Sequence, residues 1–112
     1  MIPSHDVLDA LAHERRQSVC EVLAAADREV LSLEEVSERV AARQEDRTDG
    51  PADARTVKVD LHHVHLPKLD EAGLIEYDHE INTVYYETDP VVESIADGAE
   101  PLEAARTGTD AE

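Results

Sequence analysis

His65-Leu66-Pro67-Lys68-Leu69-Asp70-Glu71-Ala72-Gly73-Leu74-Ile75 is the stretch on which the fold depends. Leucines at 66 and 69 are spaced to share one face of a helix, and Gly73 is placed to end it. Leu74 and Ile75 then begin a β-prone run. Glycine at the junction supplies the positive φ needed where a helix turns into a strand, and the apolar residues around it pack the two elements together. Pro67 removes a backbone hydrogen bond to the carbonyl of His63, so a kink is expected that aims the last turn at the strand.

Downstream, Leu74–Tyr77 and Thr83–Glu87 are joined by Asp78-His79-Glu80-Ile81-Asn82, the pattern of a hairpin. Asp89-Pro90 breaks the chain; Val91, Val92 and Ile95 suit one more short helix, and a frayed acidic end is expected from Asp97. Upstream, the glycine-terminated helix should begin near Ala54, after a polar loop at 44–53 that contains Gly50-Pro51. Ser32 and Glu35 form a capping-box pattern that starts a helix running to about Arg43, with Val36 and Val40 inward. Another helix is expected from Glu14 to Ala26, with Val19, Cys20, Val22 and Leu23 as its buried stripe. Val7, Leu8 and Leu11 make a shorter helical face, with Ser4 as its N-cap. The order is four helices and a hairpin. The expected class is mainly α with a small β-hairpin, a winged helix-turn-helix domain over 1–90, followed by a short C-terminal helix and acidic flexible tail over 91–112.

Composition agrees with one small domain of 112 residues. A single cysteine, Cys20, allows no internal disulfide and is expected in the core. No apolar run has membrane-spanning length and the first residues do not resemble a signal peptide, so a cytoplasmic protein without membrane contact is expected. The formal net charge is −17, and only Lys58 and Lys68 are lysines. Residues 1–50 carry 12 acids against 6 bases, residues 51–89 carry 9 against 3, and residues 90–112 carry 6 against 1. An acidic tail alone does not account for a deficit spread so evenly, and the regular apolar spacing argues against disorder. A lysine-poor acidic surface suits a halophilic protein, because molar salt shortens the Debye length to about 3 Å and screens self-repulsion.

Counting 100° per residue from Val57 puts Val57, Leu61, Val64, Leu69 and Ala72 on one side of the long helix, with Leu66 at the margin. Arg55, Thr56, Val59, Asp60 and His63 lie toward the open side, with Lys58 nearby. Across 54–69, Arg55, Lys58 and Lys68 face only Asp60, so this is the least acidic part of the chain. These residues are the expected base-reading surface. Arg15, Arg16 and Lys68 are candidate phosphate contacts, with pairing to nearby carboxylates as the alternative for the arginines. The wing, Asp78 to Asn82, offers no lysine or arginine. His62 and His65 have the i, i+3 spacing of two zinc ligands, but about four are needed and the histidines lie toward the apolar side, so packed, hydrogen-bonded side chains are expected and no metal or cofactor. No nucleophile–base set or phosphate loop stands out, which argues against an enzyme.

Two blocks carry a resemblance. Leu11-Ala12-His13-Glu14-Arg15-Arg16, followed by Val19 and Leu23, resembles the opening of ArsR-type regulators, and His65 to Ile75 resembles their junction between recognition helix and wing. The run Leu61-His62-His63-Val64-His65-Leu66-Pro67-Lys68-Leu69 is similar to a haloarchaeal winged-helix domain family. The resemblance spans about residues 5–90 and implies a transcriptional regulator that binds double-stranded DNA as a homodimer, using Val7, Leu8, Leu11 and the Val91–Ile95 segment for pairing. The alternative is a winged-helix protein-interaction module without DNA binding.

Overall fold

The computed structural model describes residues 5–47 and 53–104. The expected Ser4 cap, the Gly50-Pro51 turn and the end of the tail lie outside the described residues. The elements run α1 (His5–Leu11), α2 (Glu14–Ala25), β1 (Val30–Ser32), α3 (Leu33–Arg47) and α4 (Ala54–Asp60). A π-helical turn (Leu61–His65) leads into α5 (Leu66–Glu71), then β2 (Glu76–Asp78), β3 (Thr83–Tyr85) and α6 (Pro90–Ala96). This is a mainly helical winged helix-turn-helix domain with a small antiparallel sheet.

The capping box forms as its spacing requires. Glu35 N donates to Ser32 Oγ at 3.0 Å, and Ser32 N donates to Glu35 Oε1 at 3.1 Å. At the other landmark, Gly73 takes φ +81° just after α5, and the chain enters β2 within three residues. Asp89 caps α6 by accepting from the backbone N–H groups of Val91 and Val92.

One element exceeds the expected hairpin. Residues 30–32 form a third strand, giving the order β1-β3-β2 with both pairings antiparallel. Val84 sits at the centre opposite both Leu31 and Tyr77, and all three side chains are buried, while Val30 and Tyr85 point outward. Two backbone bonds of 2.8 Å flank the β1–β3 ladder: Tyr86 N donates to Glu29 O and Leu33 N donates to Asn82 O.

The long helix keeps helical dihedrals throughout but changes pitch. At the π-helical turn the Leu66 N–H reaches back to the carbonyl of Leu61, five residues away, immediately before Pro67. Proline has no N–H, and its ring crowds the carbonyl four residues earlier, so a wider turn at this point relieves the ladder. The extra residue also shifts the helical phase. Val64, expected inward, is 48 % exposed, whereas His65 is 2 % exposed and Leu66, expected at the margin, is fully buried. Positions 57, 61, 65 and 69 are buried four apart at each step, with Leu66 buried beside them.

The core joins Leu11, Val19, Leu23, Val36, Val40, Val57, Leu61, Leu69 and Val84. It also takes in α6, which packs along α2 and buries Val91, Val92 and Ile95. These three side chains complete the core. Residues 101–104 make a further helical turn with Ala104 fully buried, so the chain is packed well beyond Asp97, where fraying was expected. Cys20 occupies its expected place in the core. Among the described residues, no helix is long and apolar enough to cross a membrane.

Candidate nucleic-acid interface

Asp53 begins the surface by capping α4. Its carboxylate accepts from Arg55 N at 2.9 Å and from Thr56 Oγ1 at 3.2 Å. With Val57 and Leu61 anchored in the core, helical geometry turns Arg55, Thr56 and Val59 outward, and all three are exposed. Lys58 is partly exposed beside them, and His63 follows one turn further on. Among the described residues, neither Arg55 nor Lys58 makes an ion pair, in contrast to Arg15, Arg28, Arg43 and Lys68.

This face lines an open concavity of about 310 Å³ bounded by Arg55, Lys58, Val59 and His63 on the helix, Leu33 at the start of α3, and Asn82 on the wing. Asn82 had no role assigned from the sequence. It takes φ +52° at the end of the wing loop, a conformation asparagine tolerates better than most residues, and its amide can both donate and accept. The wing tip itself is self-contained: Asp78 Oδ1 accepts from Glu80 N at 3.0 Å and Ile81 N at 3.4 Å. His79, Glu80 and Ile81 remain exposed.

The other sequence-derived candidates are drawn into an internal polar cluster. Arg15 donates from one guanidinium nitrogen to Asp60 Oδ2 at 2.8 Å and from the other to Gln44 Oε1 at 2.7 Å. Asp60, expected at the base-reading face, is thus turned toward α2, and its Oδ2 also lies 2.8 Å from Nε2 of His65. Arg16 is a correction to the phosphate-contact set. It is buried, donates to the carbonyls of Ala10 and Asp9, and stands against His65. Arg16 closes the end of α1 onto α2, and its guanidinium is spent there. Lys68 pairs with Asp9 at 2.8 Å, a contact that raises its ammonium pKa above the usual value. Arg55, Thr56, Lys58, Val59 and His63 thus lie at least partly exposed along the helix, while Arg15, Arg16 and Lys68 are engaged by Asp60, by the carbonyls of Asp9 and Ala10, and by the Asp9 carboxylate.

His62 and His65 are hydrogen-bonded and packed. His62 Nδ1 lies 2.6 Å from the Tyr77 hydroxyl, which links the π-helical turn to β2, and Tyr77 N donates to Asp70 at 2.8 Å. Burial pushes the Tyr77 phenol above its ordinary pKa, with Asp78 adding to the shift, so it stays protonated. Among the described residues no buried side-chain polar atom lacks a partner, and no group of three or more histidine, cysteine or carboxylate side chains is placed to hold a metal ion.

No curated protein and no solved structure matches the chain. One family does, over residues 8–85, from within α1 to the last residue of β3. That span holds both the helix-turn-helix and the wing, and it is more than half of the sequence: the chain belongs to the family described as Domain of unknown function (DUF7344).

Proposed function

We propose that this chain is a winged-helix DNA-binding transcriptional regulator adapted to high salt, and that it meets the major groove of double-stranded DNA with the outer face of α4. One observation carries the reading. In a chain of net charge −17, Arg55 and Lys58 stand on a single helical turn with no ion-pair partner among the described residues, beside an exposed valine and an exposed histidine. An arginine of this kind suits the acceptor pair of guanine, and a lysine suits a phosphate. The similarity of the helix-to-wing junction to ArsR-type regulators, and of 61–69 to the haloarchaeal winged-helix family, supports the same reading. The role is one of binding and not of catalysis.

Homodimer formation is part of the proposal in a narrower form than the sequence implied. Leu11, Val91, Val92 and Ile95 are consumed in the core, which leaves the partly exposed Val7 and Leu8 of α1 as the apolar contribution to a two-fold contact.

The test is a fluorescence-anisotropy titration with genomic duplex fragments in molar KCl. Saturable, sequence-selective binding that weakens at least about fivefold in Arg55→Ala and His63→Ala supports the regulator, as loss of a base contact typically costs about 1–3 kcal/mol. Binding no stronger than to random duplex overturns it. The second reading, a protein-interaction module, is favoured by the wing, whose exposed tip offers Glu80 and no lysine or arginine. Recovery of a protein partner by a chain that ignores DNA would support that reading instead.

A further inference from the structure

We infer that Val59 reads a thymine through its 5-methyl group, at a step adjoining the base addressed by Arg55. The inference rests on the DNA-binding reading above and adds the sequence feature that the surface selects.

Val59 is 54 % exposed in the middle of the face that bears Arg55 one turn before it and His63 one turn after. Nothing local favours valine there. A β-branched side chain loses χ1 freedom in a helix, and this one contributes no core contact to offset the loss. Its surroundings are asymmetric. The concavity beside it has the apolar Leu33 in its wall and hydrogen-bonding or charged groups, Arg55, Lys58, His63 and Asn82, around it. An apolar centre within a polar and cationic border requires a partner with an isolated apolar group among acceptors and negative charge. Duplex DNA presents that combination in the major groove at thymine, whose C5-methyl is the apolar group displayed there, flanked by base acceptors and phosphates. Arg55 and Lys58, which have no ion-pair partner among the described residues, supply the charge complementarity.

Selection from a randomised duplex pool in molar KCl supplies the probe. Each thymine of the recovered duplex is then replaced singly by deoxyuridine, which removes the methyl group alone. The expected result is one position per half-site at which uracil weakens wild-type binding about fourfold, the equivalent of about 0.8 kcal/mol for one buried methyl-sized group. In Val59→Ala the same replacement should change binding little, while Val59→Thr, which keeps one γ-methyl, should retain part of the sensitivity. Circular dichroism checks that each variant is folded, as expected for so exposed a position. Recovered duplexes in which uracil has no effect on the wild type, or an equal effect on wild type and Val59→Ala, overturn the thymine assignment and leave DNA binding intact. Failure to recover any preferred duplex overturns both, and does so before any thymine is replaced.

Discussion

A guanidinium nitrogen of Arg16 lies 3.2 Å from Nδ1 of His65, and both side chains are out of solvent. Arg16 has no proton-accepting atom, so Nδ1 must accept, and Nε2–H is left to donate to Asp60 at 2.8 Å. The neutral imidazole therefore spans a cation and a carboxylate, and through them α1, α2 and the helix that carries the interface. Removing it in His65→Ala takes one hydrogen bond from each of Arg16 and Asp60, which keep their other partners, and opens a cavity in the core. A stability loss of about 3 kcal/mol is expected from urea unfolding in molar KCl. A loss below about 1 kcal/mol would show that the cluster does not hold the helices together.

Acid should weaken the same cluster in two stages. Burial holds the His65 pKa below its usual 6.5, with Asp60 acting in the opposite direction. Because the unfolded chain binds that proton more readily, the stability associated with neutral His65 is complete above pH 6.5 and is lost as pH falls through the lower folded value. For Asp60, burial favours the protonated form, but His65 and Arg15 outweigh it and keep the pKa below 3.8. Its contribution is present above pH 3.8 and is lost in stronger acid as pH falls through the folded value. Unfolding free energy measured against pH should thus begin to decline below neutrality, and His65→Gln should remove the upper part of the decline while leaving the acid limb.

Cys20 should be nearly inert in the native protein. Burial, with lesser contributions from Asp89 and Glu21, pushes its thiol up to about 12. Reaction with a disulfide reagent at mildly alkaline pH should be slow and limited by opening of the fold, then become fast in urea. Rapid labelling without denaturant would place the thiol at the surface.

Gly73→Ala tests the hinge between helix and wing. A Cβ at this position meets nothing within 4 Å, so the penalty comes from forcing φ +81° on an L-residue and not from a clash. A loss of about 1 kcal/mol is expected from urea unfolding, with a smaller loss for Gly73→Asn.

High-salt adaptation predicts that the thermal midpoint rises steadily from dilute buffer into molar KCl, as screening relieves the repulsion of a −17 chain. A midpoint that ignores KCl would remove the reason for reading the acidity as an adaptation.

The parts of the architecture that depend on neighbours in sequence were legible from it. Ser32 with Glu35, Asp89 ahead of Pro90, and Gly73 after Leu69 each act within a few residues, and each forms as its spacing demands. What escaped depends on distant partners. Leu31 and Ser32 look like a helix start and become a strand because β3, some fifty residues later, lies beside them. Val64 and His65 exchange places because the helix widens ahead of Pro67, and a uniform 100° step does not register that change. Arg15 and Arg16 carry no local sign of their contacts with Asp60 and His65, since these cross 45 and 49 residues. On the proposed interface, the exposure of Arg55, Thr56, Val59 and His63 follows from periodicity, whereas Asp60, placed with them by the same count, turns toward Arg15. Asn82 needed the wing to be folded back before it could be counted with them.

The backbone bond from Leu33 to Asn82 joins two elements that are distant in sequence. It clips the end of the wing loop to the first residue of α3, so that on the proposed reading wing and helices would approach a duplex with their relative placement already set. Little ordering entropy is then spent on binding, and any adjustment falls on the duplex. If the proposed DNA binding holds, such a pre-set contour would favour sites that bend or twist easily into it, and would discriminate at base pairs that no side chain touches.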